Sequence, residues 1–311
     1  MGYITNDAAL DAANTAFEDA ANDIFSGASN NVSDLFTTRT PQVGKFAELD
    51  LVDGIPQIRE WVGSRQLKNL RAYSVTAPIK PWEMTIGIPV DDINGDRTGV
   101  VAARVRDFAA RAERIYDQIM IPALLSNPEC YDGVSLLSAA HERGSGLADQ
   151  NNLTTDALNN TAFQAAMAAM SLFTDYHGEP VGITGTHVLV GPNQREVAFQ
   201  VTGSDKIVGV DASGNYGGTI VDAGVLPNYE GGSVNVLVSD RIVGNQWFLM
   251  DLSKGRAKPM YAAEFQAPRA DILDSPTDSN VWHNDEVLYG LTAKITSMGM
   301  NWRTIFGSQT A

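Results

Sequence analysis

The chain has 311 residues, 44% hydrophobic and 19% charged, a globular balance long enough for two domains or for one large and one small. Its 22 basic against 37 acidic residues give a formal charge of −15, which argues against broad gripping of a phosphate backbone or a membrane surface. A single cysteine, Cys130, excludes an internal disulfide and a cysteine-based zinc cage. With no apolar run of spanning length and no signal-like start, the expectation is a soluble protein that folds in a reducing cytoplasm.

Residues 6–25 read as a helix, with Leu10, Ala13, Phe17, Ala20 and Ile24 at three- and four-residue steps and Gly27 as the stop. The apolar stripe is thin, so this helix is expected to need a surface elsewhere. Residues 26–56 read as a mostly irregular arm, punctuated by Pro41 and Pro56. Period-two runs over 65–75 and 82–90, with a proline-bounded tip between them, predict a long two-stranded hairpin that projects. Residues 61–90 hold Arg65, Lys68, Arg71 and Lys80 against Glu83 alone, a basic limb on an acidic protein.

After a turn over Asp91–Thr98, one helix is expected from about Gly99 to Ile121, ending before Pro122. Another helix is expected over about Thr155–Tyr176, with a break near Asn160. Residues 183–252 read as an α/β insertion, with short strands at His187–Val190, Thr219–Val225, Val234–Val238 and Gln246–Leu252 and a helix over Pro192–Val201. The chain closes with strand-like runs over Glu286–Ile295 and Met300–Phe306.

Motifs that would carry chemistry are incomplete. Asp92, Asn94 and Asp96 open like a calcium loop, but Arg97 and Ala103 stand where glycine and a bidentate glutamate belong, so a helix-capping turn is the better reading. His141, His177, His187 and His283 share no metal-ligand spacing, and each reads as a structural side chain. Ser145 lacks the G-x-S-x-G setting of a nucleophile, and no phosphate-cradling loop occurs. Cys130 has no close cationic neighbour in sequence to lower its thiol pKa. The expectation is a protein that is not an enzyme and has no cofactor and no metal.

The run Gly54-Ile55-Pro56-Gln57-Ile58-Arg59-Glu60-Trp61-Val62-Gly63, followed by Arg65, Leu70 and Tyr73, resembles the start of the Mu-like phage major head subunit family. So does Trp82-Glu83-Met84-Thr85-Ile86, with Pro89, Asp91, Asp92, Asp96 and Gly99 after it. Cys130-Tyr131-Asp132-Gly133, Leu136 to His141 and Asn151-Asn152 resemble its middle signature, although Glu142 stands where proline follows the histidine. Thr186 to Pro192 and Asn284 to Gly290 complete five stretches in order over residues 50–307.

This resemblance implies an α+β, Hong Kong 97-like capsid fold. Its parts would be an N-terminal arm (1–56), an extended hairpin loop (57–97), a long spine helix (98–126), a peripheral domain (127–182 and 265–311) and an axial domain (183–264). It implies a major head protein of a tailed double-stranded DNA phage, assembled in the bacterial host cytoplasm into hexamers and pentamers of a virion shell. Its partners would be further copies of itself, a scaffold, a portal and decoration proteins, around DNA held without sequence-specific binding and with no membrane. An encapsulin-like nanocompartment shell and a cytoplasmic hydrolase are the alternatives. Within that frame, Arg65, Lys68, Arg71, Tyr73, Lys80, Trp82, Met84 and Ile86 are the expected inter-subunit contact, landing on acidic surface around Asp271, Asp274 and Asp278. Asp7, Asp11, Glu18, Asp19, Asp23 and Asp34 are expected to line the interior, where they would repel DNA rather than hold it.

Overall fold

In the computed structural model the described residues are 4–25, 35–39, 46–53, 71–112, 114–142, 148–203, 206–207, 226–227, 232–253 and 257–309. The first half of the chain forms α1 (Asp7–Phe25), β1 (Phe36–Arg39), β2 (Phe46–Asp53), β3 (Arg71–Pro78), β4 (Pro81–Pro89), α2 (Val90–Gly95), α3 (Val100–Ala112) and α4 (Ile115–Leu125). The middle adds β5 (Leu153–Thr154), α5 (Asn160–Ser171), β6 (His187–Val190), α6 (Arg195–Gly203), β7 (Lys206–Ile207), β8 (Leu226–Pro227), β9 (Asn235–Val238) and β10 (Trp247–Met250). Last come β11 (Met260–Leu273), α7 (Ser279–Asn284), β12 (Glu286–Gly299) and β13 (Ile305–Ser308). Helix and sheet are mixed, as the α+β reading requires.

Two sheets organise these elements. The five-stranded sheet has the order β5-β13-β10-β6-β9, so β5 and β13 join strands of the 183–252 stretch from outside it. All four residues of β10 are buried, as expected of a strand covered on both faces. Helices α5 and α6 supply the cover, and their apolar residues share one cluster with this sheet. The four-stranded sheet has the order β1-β11-β12-β4. Along β12, Val287, Tyr289, Leu291 and Ala293 are buried while Lys294 is exposed, the alternation of a sheet with one covered face.

The cover on that face is α1 with α3. Phe17 stacks on Phe108 at 6.2 Å and meets Tyr289 edge-on at 5.3 Å. Asn14 accepts from the Tyr289 hydroxyl and donates to the Asp274 carboxylate, both at 2.8 Å. The thin stripe of α1 therefore finds its surface within the same chain, not elsewhere. No local pattern shows this, because the partners lie about ninety and more than two hundred and fifty residues away.

Four other expectations are corrected. Residues 36–39 and 46–53 are strands, not irregular arm: β1 pairs parallel with Met260–Ala263, and β2 pairs antiparallel with β3. The predicted hairpin does not form, because β3 takes β2 as its partner and β4 takes β12. Its tip is instead a corner between two pairings. The single helix over 99–121 is two helices, with Arg114 at φ −92°, ψ 16° between them. Val101, Val105, Phe108 and Ala109 of α3 belong to the core under the four-stranded sheet, whereas Ile119, Met120, Ile121 and Leu124 of α4 belong to the other core. One straight rod does not face both, and the helix then continues through Pro122 to Leu125.

The remaining differences are of extent. The expected helix over 155–176 is confined to Asn160–Ser171, capped by Asn159, whose Oδ1 accepts from the Ala162 amide at 2.9 Å. A 3-10 turn opens each of two other segments: Pro192–Gln194 before α6, and Trp302–Thr304 before β13. The expected strand at 219–225 lies outside the described residues. The fourteen-residue β11 has no counterpart in the sequence reading, because two register shifts between Glu264 and Arg269 interrupt its alternation.

Candidate assembly surfaces

Among the described residues no group of three or more His, Cys, Asp or Glu converges as a metal site, and no helix is long and apolar enough to cross a membrane. Asp96 does what the capping reading requires. Its Oδ1 accepts from the amides of Thr98 (2.9 Å), Gly99 (2.8 Å) and Val100 (3.3 Å), and Oδ2 from Val101 (2.9 Å). These amides, that of Val101 foremost, hold its carboxyl below the ordinary aspartate value. Cys130 is buried, and burial pushes its thiol pKa up, away from reactivity.

The residues expected to touch a neighbour are divided by the structure. Arg65 and Lys68 lie outside the described residues, and Arg71 opens β3. Tyr73 is half-buried, its ring 4.9 Å from that of Tyr131. Lys80 is exposed at the corner, where its carbonyl accepts from the Ile295 amide at 3.1 Å. Trp82 folds back to donate from Nε1 to the Ile295 carbonyl at 2.8 Å, and 37% of it remains exposed. Met84 and Ile86 pack part of their surface on the chain's own core under β12. Beside Trp82 a cavity of about 60 Å³ opens, floored by Met84, Ile115, Ile119 and Leu291.

The acidic set is divided too. Asp7, Asp11, Glu18 and Asp19 are exposed on α1, Asp23 lies in the same helix, and Asp34 is outside the described residues. The Asn14–Asp274 bond sets this helix against the end of β11, so the acidic arm and the acidic landing place adjoin. The landing carboxylates are already engaged within the chain. Asp271 pairs with Arg269 at 2.9 Å, Asp274 takes Asn14, and Asp278 accepts from the Ser275 amide at 3.0 Å.

This fold has a counterpart in sequence. The family of the Mu-like prophage major head subunit gpT matches residues 9–157, 142–221 and 224–311. The chain belongs to this family. It is 28% identical over 88 residues to the major capsid protein of Escherichia phage Mu, covering 28% of this chain and 29% of that one. Against the Mu-like prophage FluMu major head subunit of Haemophilus influenzae it is 25% identical over 118 residues, 36% of this chain and 38% of that one. The alignments thus span about a third of each relative's length. In structure it resembles the procapsid subunit of bacteriophage JBD30, with a TM-score of 0.52 and 18% identity over 98% of this chain and 76% of that one. The fold is that of phage capsid subunits.

Three groupings in this member of the family were not read from its sequence. Arg114, at the break between α3 and α4, reaches both Asp240 oxygens at 2.8 and 2.9 Å and Asp117 at 3.7 Å. That fork raises the Arg114 pKa and lowers that of Asp240, while burial raises Asp117. Both members of the Arg114–Asp240 pair are about half exposed, so it contributes about 0–1 kcal/mol. On the other side of the break Tyr116 donates to Glu264 at 2.5 Å.

The second grouping is buried: His141 Nδ1 lies 2.7 Å from Asp132, and its ring stacks on Trp302 at 4.2 Å. In the third, Asn152 accepts from the Ser138 amide and donates to the Leu136, Trp302 and Ile305 carbonyls, tying the 136–152 stretch to β13. The partners are non-local in each case. The Cys130–Gly133, Leu136–His141 and Asn151-Asn152 stretches of the family resemblance were the sequence signal near them.

Proposed function

We propose that the chain is the major head protein of a tailed double-stranded DNA phage or prophage, and that copies of it close into the hexamers and pentamers of an icosahedral shell. The family match from residue 9 to residue 311 carries this reading. The role is structural, with no substrate and no cofactor. Its place is the virion, after assembly in the bacterial cytoplasm around a scaffold and a portal, with DNA enclosed and not read.

The parts of a Hong Kong 97-like subunit are assigned as follows. Residues 1–56 are the arm, 57–97 the extended loop, 98–126 the spine, 127–182 with 265–311 the peripheral domain, and 183–264 the axial domain. The β2–β3 pairing favours an extended loop that begins within the ribbon, nearer Phe46 than residue 57. The spine has two segments, α3 and α4. Arg65, Lys68, Arg71 and Lys80 give the loop a positive charge for gripping an adjacent acidic subunit. Tyr73 and Trp82 offer only the surface that the chain's own packing leaves free. The exposed acids of α1 face the interior, where like charge keeps packed DNA sliding.

Size-exclusion chromatography with negative-stain electron microscopy of the purified chain tests this. Megadalton shells, or rings of five and six subunits, are the expected outcome. A dimer or tetramer at every protein concentration and ionic strength overturns it.

A further inference from the structure

We propose that the two helices lying on the four-stranded sheet join copies of the chain side to side, the acidic flank of α1 in one copy meeting the arginine flank of α3 in the next. The inference rests on the shell reading above and names one contact through which copies would associate.

The two helices run together in the same direction. Asn6, just before α1, donates from Nδ2 to the Asp96 carbonyl at 2.8 Å, and the Asp96 carboxylate caps the start of α3, so both helices leave from one turn. Phe17 and Phe108 then stack, which fixes their relative level. Asn14, bound to Asp274, places α1 over the β11 side of the sheet. Arg111 borders Trp82, Glu83 and Met84, which places α3 over the β4 side. Each helix therefore has one flank against the other and one flank free.

The free flanks carry opposite charge. Asp7, Asp11, Asn14 and Glu18 follow one another at four-, three- and four-residue steps, a single stripe of a helix. Because Asn14 reaches β11, the three carboxylates share that outward flank, and all three residues are exposed. On α3, Arg104 and Arg111 are seven residues apart, about two turns, and so lie on one flank. Asp107 is the one acid of α3, against three arginines, whereas α1 has five acids and no base. Arg104 reaches Asp92 of α2 at 3.4 Å, but both partners are more than half exposed and the pair is weak. Among the described residues Arg111, Asp7, Asp11 and Glu18 have no ion pair.

Spacing and level match as well. Asp11 and Glu18 are also seven residues apart, so both flanks repeat at about 10 Å. With Phe17 level with Phe108, Asp11 and Glu18 stand about 3 Å short of the levels of Arg104 and Arg111, within reach of flexible side chains. A second copy set alongside brings Asp11 to Arg104 and Glu18 to Arg111 in one register. The same chain cannot make this contact with itself, because Ala13 and Phe17 hold the opposite face of α1 in the core. Each contact leaves one acidic and one arginine flank free for further copies, and such heterologous contacts close into rings where the rotation between copies allows. Asp19, off the stripe, is left to the interior.

Two charge-reversed chains test this: Asp11→Lys with Glu18→Lys, and Arg104→Glu with Arg111→Glu. The replaced side chains are exposed, so each isolated chain should keep the wild-type circular dichroism and cooperative melt. Alone, each should form about tenfold fewer rings or shells than the wild type, since like charges then face each other at every contact. Mixed, the two should assemble together, because each supplies the sign the other lacks. A second measurement mixes Glu18→Cys chains with Arg111→Cys chains and adds a short bis-maleimide; buried Cys130 does not compete. A dimer-sized band that needs both variants is the expected result. Normal assembly by either reversed chain alone, no recovery when the two folded chains are mixed, or the absence of the cross-linked band from assembled material overturns the inference and leaves the shell reading standing. A wild-type chain that forms no particles overturns both.

Discussion

The two sheets of this chain differ in strand length and in how they are buried. In the five-stranded sheet Val188, Leu189, Val190, Trp247, Phe248, Leu249, Met250 and Ile305 are all essentially without exposure. Helices cover it, and Trp247 has even its indole N–H satisfied, by the Asp156 carbonyl at 3.0 Å. The four-stranded sheet buries alternate residues from Val287 to Ala293, is buried on both faces only at Met260–Ala263, and ends in the open strand β4. A sheet whose central strands are closed on both faces holds the fold together through its core. A sheet with one face partly uncovered keeps a surface and an edge in reserve.

If this contrast is right, damage to the two sheets should differ in reach. Trp247→Ala leaves a large cavity in the doubly covered sheet and should cost about 3–5 kcal/mol, read as a loss of the whole cooperative thermal transition. Phe17→Ala should cost less, about 3 kcal/mol, because α1 can settle partly into the gap. Hydrogen exchange should then show lost protection in α1 and α3 with β6 and β10 unchanged; equal loss in both sheets would break the distinction.

The smallest effect is expected at the entrance to α3. Amides hold the Asp96 carboxyl below its ordinary value, so its stabilising contribution is present above that value and disappears as pH falls through the depressed one. Melting temperatures of the wild type and Asp96→Asn, compared from about pH 6 to about pH 3, should therefore converge at the acid end. A gap between them that persists in acid would show that Asp96 acts through shape and not charge.

The sequence by itself determined α1 and the start of β12, whose burial has a regular period, the short apolar strands β6, β9 and β10 between turn residues, and the capping turn at Asp96. It also determined the basic limb and the family resemblance, because both are properties of residue order alone. Tertiary structure decided who pairs with whom. β1 is four residues long and takes its place from β11 at Met260–Ala263. β3 and β4 share the alternation of a hairpin, yet β2 and β12 offered each a better partner than the other. The α3–α4 stripe is continuous in sequence and divided in space, because its two halves serve two cores. Even the engagement of Asp274 by Asn14, and of Asp240 by Arg114, joins residues more than a hundred apart. Periodicity is a local consequence of backbone geometry, whereas pairing depends on the free energy of every alternative contact in the folded chain, and no short window of sequence contains that comparison.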